Sequence, residues 1–324
     1  MEEVKGMILR IIDCSNLIYA GYYGNRRRPT ISRGVREKDG MWEDASIPVG
    51  GLNFALKFIY SLKDDNTDII PVFDKSPRIK NQMYSDTFGA AAYKAGRGKS
   101  ATATQIKDIR FNKKWTEDVL LKCGFNCQSA EGYEADDIIY TLVEYYKSSY
   151  DHIYIHTKDS DLSFLVDDHV SIAKAGNVGK EINKANYYFT AKTGDNCLYN
   201  TIHLHKLYKG DTADNIPGIG YDWASKFTSM YDKEDMAKLG DLDFARKCLR
   251  EMVKKYPTES GASLVLPTFN ILCPLLVPEE LLNLYETEPD WHQLAGYWLN
   301  NCPSEADNWD CESLLEEFLE EYYD

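Results

Sequence analysis

Three apolar runs in the first half of the chain each end beside acidic residues. The runs and their acids are residues 7–12 with Asp13, residues 68–73 with Asp74, and residues 152–157 with Asp159 and Asp161. Short apolar runs bounded by turn residues are typical of buried strands. Segments with helical periodicity lie between and after these runs, at residues 48–62, 115–121 and 134–146.

This alternation predicts an α/β fold with a parallel central sheet and flanking helices. Ligands of such sheets bind beyond the carboxyl ends of the strands, where the acids would meet. We predict an α/β core at residues 1–200. Residues 201–324 have mostly helical patterns and form a predicted second region. Residues 84–114 are rich in Gly, Ala, Ser and Lys, and their weak apolar periodicity predicts a segment that is mobile without a ligand.

The composition is that of an ordinary globular protein, with 324 residues, 44% hydrophobic and 27% charged. The first residues are acidic where a signal peptide is basic, and no apolar run has the length of a membrane span. The eight cysteines follow no repeating spacing, which favours reduced thiols. We therefore expect a cytoplasmic protein, or one of the host cytoplasm if a phage encodes it.

The net charge of −14 alone disfavours nucleic acid as a partner. The basic residues are nevertheless clustered, at Arg26, Arg27 and Arg28 and again over residues 94–114. A solvated surface and a phosphate-binding surface are equally good interpretations of either cluster.

The densest acidic motif is Glu134, Asp136 and Asp137 at the start of a predicted helix. Three carboxylates in one turn repel each other unless a cation lies among them, although a helix cap with extra surface acids is the simpler alternative. Asp211 and Asp214 precede a Gly218-Ile-Gly220 segment. Glycines flanking an apolar residue leave backbone N–H groups open to a phosphate, and a plain turn is the alternative.

These motifs, in this order, resemble the 5′ nuclease family, which comprises the 5′→3′ exonuclease domain of DNA polymerase I, flap endonucleases, and phage 5′ exonucleases and ribonucleases H. The matching blocks are Ile11-Ile-Asp13, Val49-Gly-Gly51, Phe73-Asp74, Tyr93-Lys-Ala-Gly-Arg97, Tyr133-Glu-Ala-Asp-Asp137, Thr157-Lys-Asp-Ser-Asp-Leu162 and Gly210-Asp-Thr-Ala-Asp-Asn-Ile-Pro-Gly-Ile-Gly220. The resemblance covers about the first 230 residues.

The resemblance implies a PIN-like fold with a basic arch at about residues 80–115 and a helix-three-turn-helix motif at residues 209–230. It implies that two or more Mg²⁺ ions, replaceable by Mn²⁺, are held by nine acids, with Asp137 either coordinating or supporting. Hard oxygen ligands suit these ions. The nine acids are Asp13, Asp74, Glu134, Asp136, Asp137, Asp159, Asp161, Asp211 and Asp214.

The same resemblance assigns Lys94 and Arg97 to the scissile phosphate and Tyr93 to stacking on a terminal base, with ordinary packing of Tyr93 as the alternative. It implies duplex binding by the glycine hairpin, where K⁺ is a further expected ligand. The cation that usually follows the last glycine is replaced by Tyr221-Asp-Trp223, and Lys226 is the first one. We expect Lys206 and Lys209 to compensate.

The predicted function is therefore a structure-specific 5′ nuclease, a flap endonuclease or 5′→3′ exonuclease acting on DNA 5′ ends, flaps or RNA–DNA hybrids. A single-strand ribonuclease on the same fold and a branched-DNA-binding protein without activity remain alternatives. The acidic C-terminus carries an apolar stripe at Leu314, Leu315, Phe318 and Leu319. It packs on its own domain or binds a replication protein. We expect a monomer.

Overall fold

A computed structural model gives the structure of this chain. It describes residues 7–24, 30–38, 41–89, 93–94, 102–173, 181–182, 188–190, 196–284 and 287–300. The chain folds into two compact units. The first comprises residues 1–13, 66–102 and 128–284, and the second comprises residues 14–65, 103–127 and 285–324. The first unit continues across residue 200, and the domain boundary expected there stays a prediction.

The first unit is built on a five-stranded sheet with the order β4-β1-β5-β6-β7. Its strands are β1 (Ile8–Asp13), β4 (Thr67–Val72), β5 (His152–His156), β6 (Val170–Ala173) and β7 (Glu181–Ile182). The first four are parallel and β7 is antiparallel to β6. Leu9 and Ile11 lie fully buried on β1 next to Ile153 and Ile155 of β5. The predicted α/β class with a parallel central sheet is confirmed.

Helices of the first unit follow the strands and fill its second half. They are α3 (Arg78–Phe88), α5 (Ala135–Tyr146), α6 (Ile202–Lys209), α7 (Tyr221–Met230), α8 (Lys233–Ala237), α9 (Leu242–Lys255) and α10 (Val265–Leu272). Two small antiparallel pairs join β8 (Tyr188–Thr190) to β9 (Asn196–Leu198) and β10 (Gly210–Asp211) to β11 (Ile216–Pro217). The helical pattern expected past residue 200 is thus present.

The second unit contains the helices α1 (Cys14–Gly24), α2 (Gly50–Tyr60), α4 (Ala103–Lys122) and α11 (Trp291–Asn300), and the hairpin of β2 (Thr30–Lys38) with β3 (Met41–Pro48). Gly21 allows α1 to approach α2 closely, since a Cβ there would lie 2.5 Å from the Cβ of Phe54. Buried Asn112 of α4 accepts a hydrogen bond from Leu52 N (2.9 Å) and donates to Pro48 O (2.7 Å).

Part of the segment expected to be mobile without a ligand is helical. The end of α3 and the first half of α4 lie within residues 84–114, and the expected mobility stays a prediction. The buried side of α4 mixes apolar Ile109 and Phe111 with polar Asp108 and Asn112, which hides its helical periodicity. No helix within the described ranges is long and apolar enough to cross a membrane.

Candidate metal centre

Acidic residues lie at the carboxyl ends of three adjacent parallel strands. Asp13 ends β1, Asp74 follows β4, and Asp159 follows β5. Thr157 joins two of these strand ends, because its Oγ1 donates to Asp13 Oδ2 (2.9 Å) and accepts from the Asp159 N–H (3.0 Å). The backbone N–H of Asp161 then donates to Asp159 Oδ1 (3.0 Å). The strand-end acids thus meet at one edge of the sheet, as the pattern predicted.

A second group of acids surrounds the start of α5. Glu134 is the N-cap residue, and its backbone N–H donates to Asp137 Oδ2 (3.0 Å). The next N–H, of Ala135, donates to Asp74 Oδ1 (2.9 Å) and brings that acid to the same place. Oxygens of Glu134, Asp136 and Asp137 lie within 4.8 Å of one another and could hold a metal ion. The helix-cap interpretation accounts for Asp137, and Asp136 also satisfies a first-turn group, because its Oδ1 accepts from the Asp137 N–H (3.1 Å).

Lys80, which the sequence interpretation missed, lies inside this second group. It is a fully buried residue of α3, 2% exposed, and its Nζ lies 3.2 Å from Glu134 Oε2, 3.3 Å from Asp136 Oδ2 and 2.9 Å from Asp137 Oδ1. Burial alone would lower the pKa of Lys80, but these three carboxylates outweigh it and hold the pKa well above its usual range. One signal was available in the sequence, since Lys80 and Tyr84 are four residues apart and share the buried side of α3.

Asp137 has no exposed surface and all its contacts are within the protein. Besides Glu134 N, its oxygens accept from the backbone N–H of Leu275 (2.7 Å) and contact Lys80. Asp136 differs, because its side chain is 29% exposed. Burial raises and the Lys80 ammonium lowers the pKa of Asp136, and the net effect is a pKa below the usual value. Asp136 is therefore a carboxylate that faces outward from the same turn.

Tyr93 and Lys94 lie against these acids. Tyr93 donates from its hydroxyl to Glu134 Oε2 (3.1 Å) and Asp214 Oδ2 (3.3 Å), and burial raises its pKa strongly. Lys94 forms an ion pair with Glu134, while its backbone N–H donates to Asp214 O (3.0 Å). The Tyr93 ring is 7% exposed and packs beside Tyr84. In this structure the ring is thus packed as the alternative interpretation describes.

Lys206 of α6 lies between two further acids. Its Nζ pairs with Asp161 and with Asp211 (2.6 Å). Burial and the charge of Asp159 raise the pKa of Asp161 to about 7 in spite of this ammonium, which indicates how densely the negative charge is packed. In this structure the Lys206 ammonium contacts carboxylates, and its expected compensation for the missing hairpin cation stays a prediction.

Eight of the nine predicted acids are linked by hydrogen bonds and ion pairs, and Asp74 joins them through the backbone N–H of Ala135, the residue after Glu134. Asp214 completes this network, since its N–H donates to Asp211 Oδ1 (3.4 Å) and its carboxylate accepts from Tyr93. Lys80, Lys94 and Lys206 lie within this network. Lys209 is exposed at the end of α6. Four further predicted residues, Arg26, Arg27, Arg28 and Arg97, lie outside the described residues.

The predicted glycine hairpin is held against the end of α6 by backbone hydrogen bonds. Ile219 N donates to Leu207 O (3.0 Å) and Gly220 N to Tyr208 O (3.0 Å). A Cβ at Gly218 would collide with the backbone of Tyr208, whereas Gly220 needs glycine because its φ is +96° at the start of α7. Lys226, the first cation after the hairpin, lies 3.4 Å from Glu259.

Comparison with known proteins identifies the family of this chain. A family model described as 5′–3′ exonuclease, N-terminal resolvase-like domain, matches residues 8–194. DNA polymerase I of Borreliella burgdorferi is 25% identical over 323 residues, covering 95% of this chain and 33% of the relative. The thermostable DNA polymerase I of Thermus thermophilus is 29% identical over 290 residues, covering 85% and 30%. This chain thus spans about a third of the length of these relatives.

Among solved structures, the T5 5′-exonuclease with bound zinc is 17% identical with a TM-score of 0.48, covering 82% of this chain and 96% of that one. The family model matches more than half of this chain and includes seven of the nine acids, from Asp13 to Asp161. The chain therefore belongs to the family of the 5′–3′ exonuclease N-terminal, resolvase-like domain, which confirms the resemblance seen in its motifs.

Proposed function

We propose that this protein is a metal-dependent, structure-specific 5′ nuclease that hydrolyses phosphodiester bonds near DNA 5′ ends. The observation that carries the proposal is the gathering of nine acids beside the carboxyl edge of the parallel sheet and the start of α5. A chain that only recognises branched DNA has no need to gather so many like charges, which destabilise a fold without cations. Family membership supports the same reaction.

The residues fit divalent cations of the Mg²⁺ type. The ligand atoms on offer are carboxylate oxygens, which Mg²⁺ and Mn²⁺ prefer over nitrogen or sulfur. We propose that Asp74, Glu134 and Asp136 face one part of the site. The other acids, Asp13, Asp159, Asp161, Asp211 and Asp214, would complete it. Asp137 would support the site, because its oxygens already serve two backbone N–H groups and Lys80.

Cations bound here would supply a nucleophile at neutral pH and neutralise charge on the leaving oxygen. The protein's own part is orientation and charge. Lys94 would leave Glu134 when a divalent cation binds that acid, and its ammonium would then be available to a scissile phosphate together with Arg97. Tyr93 keeps Glu134 and Asp214 at hydrogen-bond distance from one hydroxyl.

Substrate binding would use the hairpin and the basic segments. The N–H groups of Ile219 and Gly220 are used within the protein, so the charge of exposed Lys209 beside Gly218 and Gly220 would attract duplex phosphates. Backbone carbonyls of the hairpin are the groups that would hold K⁺. Arg26, Arg27 and Arg28 would contact the single-stranded part. The expected substrates are 5′ ends, flaps and RNA–DNA hybrids, as in replication, recombination or primer removal.

The decisive test is cleavage of a 5′-labelled flap duplex in Mg²⁺ and in EDTA. We expect the wild type to cut near the junction only with Mg²⁺, and Asp159→Asn to bind the flap without cutting it. Asp243→Asn is the matched control, because Asp243 is a carboxylate of the same unit with 92% of its side chain exposed. Binding without cleavage by the wild type, in either Mg²⁺ or Mn²⁺, would replace this function by branched-DNA recognition.

A further inference from the structure

Three lysines compensate the acids of the metal centre, and they differ in access to solvent. The Lys80 side chain is 2% exposed, that of Lys94 is 18% exposed and that of Lys206 is 21% exposed. Lys94 and Lys206 each contact two carboxylates from the edge of the site. Lys80 contacts three from the interior. Lys94 and Lys206 can swing toward water, and Lys80 cannot do so without opening the fold.

The Lys80 ammonium is also the counter-charge of a carboxylate that water does not reach. Asp137 is 0% exposed, and an unpaired buried charge costs several kcal/mol, so this contact has to persist for the cluster to stay assembled. A divalent cation could replace Lys80 at Glu134 and Asp136, which have some exposure, but it would leave Lys80 itself buried beside an ion of the same sign.

Lys80 further fixes one oxygen of Glu134 and one oxygen of Asp136, whose Oδ1 accepts from the Asp137 N–H (3.1 Å). It contacts Glu134 through Oε2 and Asp136 through Oδ2. The other oxygen of Glu134, Oε1, is paired with Lys94, the lysine that can leave. Release of Lys94 thus presents Glu134 Oε1 while Oε2 remains held by Lys80 and the Tyr93 hydroxyl.

We propose that Lys80 is a positioning residue: a permanent internal cation that fixes the carboxylate group of Glu134, Asp136 and Asp137 before metal binds. Lys94 and Lys206 pair with carboxylates only until divalent cations displace them, and we call these two lysines placeholders. The inference rests on the proposed function in one respect, that divalent cations bind these acids. Beyond that function, one positive charge of the site, the Lys80 ammonium, belongs to the polypeptide and stays in place when metal binds.

The direct test follows lysine ammonium signals by ¹⁵N NMR in wild-type protein, without DNA, as Mg²⁺ is added. Signals are assigned by their loss in Lys80→Met, Lys94→Met and Lys206→Met. We expect the Lys80 ammonium to keep slow exchange with water at saturating Mg²⁺, while the Lys94 and Lys206 signals shift and exchange faster. Loss of the protected Lys80 signal on Mg²⁺ addition overturns the proposal.

Variants give a second, independent readout. In EDTA, Lys80→Met should melt about 5–10 °C below the wild type, since a buried charge pair loses one partner. Lys147→Met is the matched control, because the exposed Lys147 lies 2.7 Å from Glu144, and it should melt within about 1 °C of the wild type. Lys80→Met should also bind one Mn²⁺ more than the wild type by electron paramagnetic resonance, a change that a merely structural lysine would not cause.

Removing a placeholder lysine should affect Mn²⁺ binding differently from removing Lys80. Lys206→Met should bind Mn²⁺ several-fold more tightly than the wild type, because a competitor for Asp161 and Asp211 is gone. A Lys80→Met variant with wild-type melting and wild-type Mn²⁺ stoichiometry overturns the role of Lys80, and if this variant does not fold, the wild-type NMR titration decides. If Mg²⁺ leaves all three lysine signals unchanged while flaps are cleaved, only the placeholder role of Lys94 and Lys206 is overturned. Absence of both binding and cleavage would instead refute the proposed function.

Discussion

Neighbouring acids of one helical turn should have separable roles, which the pair Asp136→Asn and Asp137→Asn can distinguish. Asp137 is fully buried and receives hydrogen bonds from two backbone N–H groups and an ammonium contact. Asp136 is partly exposed and is held through Lys80. We expect Asp137→Asn to lower mainly stability and Asp136→Asn to lower mainly metal affinity.

The size of the first effect follows from the contacts. An Asn at position 137 keeps one oxygen and turns an NH₂ group toward a donor, so one of the N–H groups of Glu134 or Leu275 stays unpaired. An unpaired buried donor costs about 1–3 kcal/mol, and losing a charged partner of a buried ammonium raises the total to about 3–5 kcal/mol. At position 136 the partial exposure and the relief of like-charge repulsion keep the change in unfolding free energy within about 1 kcal/mol.

The assay is thermal unfolding in EDTA together with calorimetric titration of Mn²⁺. Asp137→Asn should melt about 5–15 °C below the wild type, and Asp136→Asn within a few degrees of it. The affinity for Mn²⁺ should fall more in Asp136→Asn than in Asp137→Asn. An Asp137→Asn protein that melts like the wild type and loses as much Mn²⁺ affinity as Asp136→Asn would refute the reasoning and make Asp137 a direct ligand.

Three further outcomes are expected. Gly218→Ala should weaken duplex binding measured by fluorescence anisotropy, because its methyl group collides with the backbone of Tyr208, while Gly24→Ala, with open space around it, should leave binding unchanged. Tyr93→Phe should lower the melting temperature in EDTA by about 3–6 °C, since a charge-assisted hydrogen bond to Glu134 is worth about 1.5–3 kcal/mol; an unchanged value would contradict the hydroxyl contacts. Burial lowers the pKa of His203 to about 3, below the usual 6.5, so folding keeps this ring neutral and its stabilising contribution is lost as the pH falls from about 6.5 toward 3. His203→Leu should therefore lose about 2 kcal/mol less unfolding free energy between pH 7 and pH 5 than the wild type, by denaturant titration.

The edge that gathers the acids could be predicted from the sequence because its information is local. Each apolar run ends beside its own acid, and parallel strands bring their carboxyl ends together whatever their order in the sheet. Placing Asp13, Asp74 and Asp159 at this edge requires no knowledge of tertiary contacts. The information that predicts the start of α5 is equally local, since three acids before a helical pattern mark its first turn.

The lysines inside the site could not be predicted in the same way. Lys80 lies 54 or more residues from each of its partners, and its spacing to Tyr84 indicates only a shared helix face and not a buried ammonium. Lys206 lies on α6, five residues before Asp211 of β10, and its direction toward Asp161 depends on how α6 packs beside the strand end. Helix α4 was missed over its first half because Asn112 and Asp108 occupy buried positions where an apolar pattern needs apolar residues.

These lysines change what the net charge of −14 means for a protein that would act on DNA. Nine of the acids gather around this centre, and among the described residues the ammonium groups of Lys80, Lys94 and Lys206 contact them. These ammonium groups partly neutralise the negative charge at the centre, and the proposed divalent cations would neutralise the remainder. If Lys94 and Lys206 withdraw as proposed, the affinity for metal and the later affinity for phosphate would both follow from this one arrangement of charge.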